Sequence, residues 1–146
     1  MTNSVVSAAP ARDAAFHLDV QLDHPIDQVW AALTRKQIID KYYFVPVNAD
    51  IAHVGAEIAY GPPGTTMIAG VVRDIAAPRL LVHTFRFDSD PIGTDTVVTY
   101  RLVEAGKGVR LEIVHAGYAV DSQGYADIAG GWPIIAERLK ATLDRR

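Results

Sequence analysis

The sequence predicts an α+β fold: an antiparallel sheet of about six or seven strands curving around one long C-terminal helix, with two short helices after the first strand. Three patterns carry that expectation. Phe16, Leu18, Val20 and Leu22 alternate with His17, Asp19 and Gln21, the period of a strand with one buried and one wet face. From Val47 to His115 the chain reads as strands and turns, clustered rather than alternating with helices, which indicates antiparallel pairing and not βαβ units. Beyond Gly130-Gly131-Trp132-Pro133, the residues Trp132, Ile135 (or Ile134), Leu139 and Leu143 recur at helical spacing. A lone helix of this kind closes the concave face of the sheet and makes it an interior.

The elements follow in order. After the strand Phe16–Leu22, the run Asp23-His24-Pro25 marks a helix start, because proline suits a first turn whose N–H groups have no partner. Ile26, Val29, Trp30 and Leu33 form the apolar stripe of that helix, and a second short piece runs from Arg35 to about Tyr43. Val47–Ile51 and Ala56–Tyr60 read as a hairpin around 52–55, and Gly61-Pro62-Pro63-Gly64 as a rigid turn at a cavity mouth. Strands are expected at Thr66–Ile75 and Leu80–Phe87, with a turn at Ala76-Ala77-Pro78 and a loop from Asp88 to Thr94. Thr96–Glu104 and Val109–His115 pair through Ala105-Gly106-Lys107-Gly108. Residues 1–15, rich in alanine and serine, read as a flexible leader, and 16–146 as one domain.

Composition narrows the function. A chain of 146 residues can bury a core without staples, and a formal charge of -3 disfavours nucleic acid, whose phosphates select basic patches. Without cysteine there is no disulfide, thiolate catalysis or thiolate metal site, which suits a cytoplasmic protein. No apolar run approaches the roughly 18 residues of a membrane span, and the N-terminus lacks the pattern of a signal peptide. His17, His24 and His53 fall on an outer face, a turn and a hairpin, and no histidine pair has zinc-motif spacing, so neither a metal nor another cofactor is expected. No serine sits in a Gly-x-Ser-x-Gly elbow, and the prolines of 61–64 lack the N–H groups of a phosphate cradle.

Three stretches, in order, resemble the helix-grip superfamily known as SRPBCC, which includes START domains. They are Val20 to Thr34 with its Val29-Trp30-Ala31-Ala32-Leu33-Thr34 helix, Gly70 to Phe85 with Pro78-Arg79-Leu80, and Gly131-Trp132 with Leu139 and Leu143. Within it the chain is similar to the branch named after the activator of heat-shock-protein-90 ATPase, over about Phe16 to Asp144. The resemblance implies a helix-grip fold; its last helix starts either with Pro133 in the first turn or nearer Gly124 with a bend at Gly130-Gly131, and the sequence leaves both open. The resemblance also implies one of three roles: a carrier of a small hydrophobic ligand, a polyketide cyclase-like enzyme, or a chaperone-associated module. The co-chaperones that name the branch carry an additional N-terminal domain, and the residues before Phe16 are too few for one. A chaperone contact therefore ranks below a small hydrophobic molecule as the expected partner, with the protein a monomer or a homodimer.

Strand alternation selects the candidate site. Arg110 and Glu112 mark the outer face of their strand, so Ile113 and His115 look inward. By the same rule His83 and Phe85 face in with Leu81 and Phe87, and Tyr100 faces in with Val98 and Leu102. His83, Phe85, Tyr100, Ile113, His115 and Trp132 are thus the expected ligand-binding residues of an apolar cavity with a few polar points. Each histidine, taken alone, is more simply a core residue with a hydrogen-bond partner. As an enzyme the protein would use His83 or His115 as general acid or base, but no carboxylate–histidine pair supports this, and no catalytic residue is assigned. Tyr42-Tyr43-Phe44 is expected to pack the short helices on the sheet, with one ring lining the cavity.

Overall fold

The computed structural model describes residues 15–145; the expected leader lies outside them except for Ala15. Six antiparallel strands, β1 (Phe16–Leu22), β2 (Glu57–Tyr60), β3 (Ile68–Ala76), β4 (Leu80–Phe87), β5 (Thr96–Ala105) and β6 (Gly108–Ala116), form one sheet in the order β1-β6-β5-β4-β3-β2. Two short helices, α1 (Ile26–Thr34) and α2 (Lys36–Tyr42), follow β1, and α3 (Gln123–Asp144) closes the chain. This is the helix-grip architecture that the sequence predicts.

Local chemistry sets the boundaries. Pro25 is the N-cap of α1, and extended Arg35 ends α1 and begins α2. The Asp50 carboxylate accepts the Lys36 N–H at 2.8 Å, giving a free donor at the start of α2 its partner across the loop. The β5–β6 turn holds Gly106 at φ 58°, in the left-handed region that favours glycine. The α3 helix starts at Gln123, well before Gly130, because Ser122 caps it: its hydroxyl accepts from Tyr125 N at 3.1 Å. Pro133 sits inside this helix, so the Ala129 carbonyl lacks its usual N–H donor.

The expected strand at Val47–Ile51 does not form. Val47 makes only an isolated bridge to Tyr60. Asn48 matches its partner partly through its side chain, which accepts from Ala59 N at 2.9 Å and donates to Glu57 O at 3.1 Å. Ile51 N then turns away to donate to Thr34 O at 2.7 Å, at the end of α1. An alternating apolar pattern is present, but its backbone donors are drawn to a helix end instead of a ladder. The β3 strand also starts two residues later than expected and carries an irregularity between Val72 and Asp74; before it, Thr84 Oγ1 accepts from Val71 N at 2.8 Å.

The inner face of the sheet reads in rows. His83, Val98, His115 and Phe16 pair across β4, β5, β6 and β1, and Leu81, Tyr100, Ile113 and Leu18 form the next row. Over these rows α3 lays Ile128, Trp132, Ile135, Leu139 and Leu143, all buried, while Ile134 points to solvent.

Candidate functional site

Below Trp132 the interface between helix and sheet is filled; above it the two part and leave an open cavity of about 440 Å³. One wall comes from α3, through Ile128, Gly131, Trp132 and Ile135, and another from β4, through Phe85 and Phe87. Tyr43, Phe44 and Val45 after α2 and the segment Thr65–Ile68 complete the lining, and Asp88, Ser89 and Asp127 stand at polar points. Phe44 and Met67 leave almost half of their surface in water, 49% and 47%, although both are large and apolar. Large apolar side chains thus stay partly in water around a concave opening, a feature commoner at interaction sites than on ordinary monomer surface. A second hollow of about 640 Å³ lies between α2 and the Gly61–Thr66 loop. Its lining includes the Lys36–Asp40 ion pair on α2 and the Gly61–Thr66 loop.

The six expected ligand-binding residues divide. Phe85 and Trp132 line the cavity, whereas His83, Tyr100, Ile113 and His115 do not. Tyr100, Ile113 and the inner side of Trp132 instead border a space of about 10 Å³ deeper in the core. The Gly61-Pro62-Pro63-Gly64 turn borders the second hollow, and only Thr65 and Thr66 beside it reach the main cavity. Of the three aromatics after the helices, Tyr42 is buried and donates its hydroxyl to Ala32 O at 2.7 Å. Tyr43, stacked on Tyr60 with ring centres 4.4 Å apart, and Phe44 both line the cavity, one more than expected.

His115 is 1% exposed and has both ring nitrogens engaged. Trp132 Nε1–H donates to His115 Nδ1 at 3.0 Å, and His115 Nε2 lies 2.7 Å from Thr96 Oγ1. An indole can only donate, so Nδ1 holds the lone pair and Nε2 carries the proton. Thr96 Oγ1 accepts the hydrogen bond from that N–H and its own hydroxyl donates to Phe85 O at 2.8 Å. Burial pushes His115 down from 6.5 to about 3, with nearby His83 adding to the effect. His83 is 2% exposed; its Nδ1–H donates to Thr84 O at 2.8 Å, and its Nε2 has no partner among the described atoms. Burial lowers His83 to about 4, against a smaller upward pull from that backbone bond. Both rings are neutral near pH 7, and neither touches the cavity, so this arrangement gives them no contact with a substrate there.

Sequence reasoning missed Val45, Met67, Ile68, Ile128, Asp88, Ser89 and Asp127 as lining residues. Phe44 carried the one usable signal, a large apolar residue just past the expected helix with no pattern to bury it, whereas Met67 was hidden inside the expected strand Thr66–Ile75. Ile128 was hidden by the uncertain start of α3. No helix among the described residues is long and apolar enough to cross a membrane, and no three His, Asp or Glu side chains converge as metal ligands.

Comparison with known proteins places this geometry. A solved structure of a Mesorhizobium loti protein superposes with a TM-score of 0.80 at 24% identity, covering 90% of this chain and 98% of that one. CalU16 from Micromonospora echinospora gives 0.75 at 26% identity, covering 92% and 79%. The Aha1 dimer from Colwellia psychrerythraea gives 0.76 at 13% identity, covering 89% and 96%, a likeness of fold alone. Among curated proteins none matches. The family model described as activator of Hsp90 ATPase homolog 1-like protein matches residues 23–144, from the turn before α1 to the last residue of α3. The chain belongs to that family.

Proposed function

We propose that this protein binds a small apolar or amphipathic molecule in the cavity between α3, β4 and the Tyr43–Val45 segment. The observation that carries the reading is the lining itself: about 440 Å³ walled by aromatic and aliphatic side chains that water would otherwise wet. Polar groups at Thr65, Thr66, Asp88, Ser89 and Asp127 give an amphipathic ligand places for its hydrogen-bonding end. Phe85 and Trp132 act as walls, while His83, Tyr100, Ile113 and His115 support them from the core. A volume in the lower part of the usual range for small-molecule sites, roughly 300–1,000 Å³, fits a ligand of modest size.

Gly131 supplies the test. It lines the cavity, and a Cβ built there meets only Phe44 Cε2, at 3.5 Å. Gly131→Leu therefore adds a bulky apolar side chain at the cavity wall from a position with room for its Cβ, and replaces a poor helix former with a good one. The neutral fluorophore N-phenyl-1-naphthylamine should bind the wild type and lose most of its affinity for Gly131→Leu, whose melting temperature stays equal or rises. No binding to the wild type, or equal binding to both proteins, would overturn the reading.

A further inference from the structure

Phe85 and Trp132 stand on different walls of the cavity, one on β4 and the other on α3, yet they are joined behind it by a single run of hydrogen bonds. Trp132 Nε1–H donates to His115 Nδ1 at 3.0 Å. His115 Nε2–H donates to Thr96 Oγ1 across 2.7 Å, and the Thr96 hydroxyl donates to the Phe85 carbonyl at 2.8 Å. The run has one direction only. An indole cannot accept and a carbonyl cannot donate, so both ends fix the tautomer of the ring and the rotor of the hydroxyl between them. It spans α3, β6, β5 and β4; the three strands are already joined by backbone ladders, so the Trp132–His115 bond is the step that ties the helix to the sheet. Aromatic contacts reinforce it, since the His115 ring meets Phe85 edge-on at 4.7 Å and Trp132 at 6.0 Å.

We propose that His115 and Thr96 are positioning residues of the ligand site, holding the Trp132 and Phe85 walls at a fixed separation. This rests on the ligand-binding reading above. Neither residue touches the cavity, and the Trp132 indole edge they hold faces away from it. An apolar site gains its affinity from wall atoms within contact distance of the ligand, and a shift of a wall by less than an ångström forfeits much of that attraction. A wall locked before the ligand arrives also loses less freedom when it binds.

Three variants test the assignment with N-phenyl-1-naphthylamine as the probe. Thr96→Val keeps the shape but removes both bonds of the hydroxyl, Thr96→Ser keeps the hydroxyl, and Trp132→Phe keeps an aromatic wall without the indole donor. Each is titrated at a temperature where circular dichroism shows it folded. Amide and indole spectra follow the Trp132 Nε1–H, identified by its disappearance in Trp132→Phe. Thr96→Val is expected to weaken the probe by about fivefold or more, a loss on the scale of one hydrogen bond. Its indole proton should exchange with water faster than in the wild type, and Thr96→Ser should restore both properties to within about twofold. If Thr96→Val does not fold, Trp132→Phe decides, with a loss of similar size expected. A folded Thr96→Val, or a folded Trp132→Phe in its place, that binds the probe as the wild type does would overturn the positioning role. A wild type that binds no probe would instead remove the ligand-binding reading beneath it.

Discussion

Along α3 the contact with the sheet is sealed at one end and open at the other. At its Leu139–Leu143 end the helix joins a core that includes Leu22, Leu33, Leu102, Val109 and Leu111, each 5% exposed or less. From Ile128 to Trp132 the same helix faces a space of about 440 Å³, and its neighbours Phe44 and Met67 remain half wet. At the sealed end the buried Thr142 spends its hydroxyl on its own helix, donating to Arg138 O at 2.8 Å. At the open end, polar groups stand directly behind the wall, at His115 and Thr96. The difference teaches where the protein concentrates its packing: one end of the interface holds the fold together, and the other keeps apolar surface in reserve. A surface left partly unburied gives up contacts that a filled core would gain, which is the cost that the proposed ligand would offset.

That contrast can be broken by substitution. Trp132→Ala removes a wall, a core side chain and the donor to His115 Nδ1 at once. It is expected to cost about 3–5 kcal/mol in urea unfolding. Leu139→Ala at the sealed end should cost about 2–5 kcal/mol and leave probe binding intact, since Leu139 does not line the main cavity. If it abolished binding in a folded protein, the two ends would not be independent.

Acid should act through the two buried histidines. Their pKa values fall from 6.5 in the unfolded chain to about 4 for His83 and about 3 for His115 when folded. Below 6.5 the unfolded chain therefore takes up protons that the native rings refuse, and stability falls as pH falls, until the rings ionise near those lower values. Over the first pH unit below 6.5 the loss should be about 1–2 kcal/mol, read from urea midpoints. A midpoint constant over that unit would mean that the native rings accept protons after all. Phe44→Ala closes the series with the smallest effect on stability, within about 1 kcal/mol, although it takes away the ring on which the Arg138 guanidinium rests. It should nonetheless weaken the probe, and equal affinity would take Phe44 out of the site.

Much of the inner face was legible because strand alternation has a period of two and tolerates no ambiguity once one outer pair is known. Arg110 and Glu112 settled the facing of His115 and Ile113, and all the inward residues named from β4, β5 and β6 but Phe87 are buried. The cavity was less legible. Thr65–Ile68, Phe44 and Asp127 come from a loop, a helix exit and a helix, separated widely along the chain, and no local pattern links them. Nor could alternation tell a side chain that faces a cavity from one that faces its neighbours, which is why His83 and His115 stood as candidates beside Phe85.

By itself the sequence determined what local spacing can encode: the sheet's inner rows, the helical stripe of α3, the turn at Gly106, and the family likeness of its motifs. Only the tertiary structure decided which inward residues touch open space. That depends on where α3 separates from β4, and so on distances between elements distant in sequence. Whether Val47–Ile51 joined the sheet was settled in the same way, because Ile51 N had a competing acceptor at Thr34 O. Trp132, visible from the first reading as the mark of the last helix, proves to be both a wall of the cavity and the first donor of the run behind it.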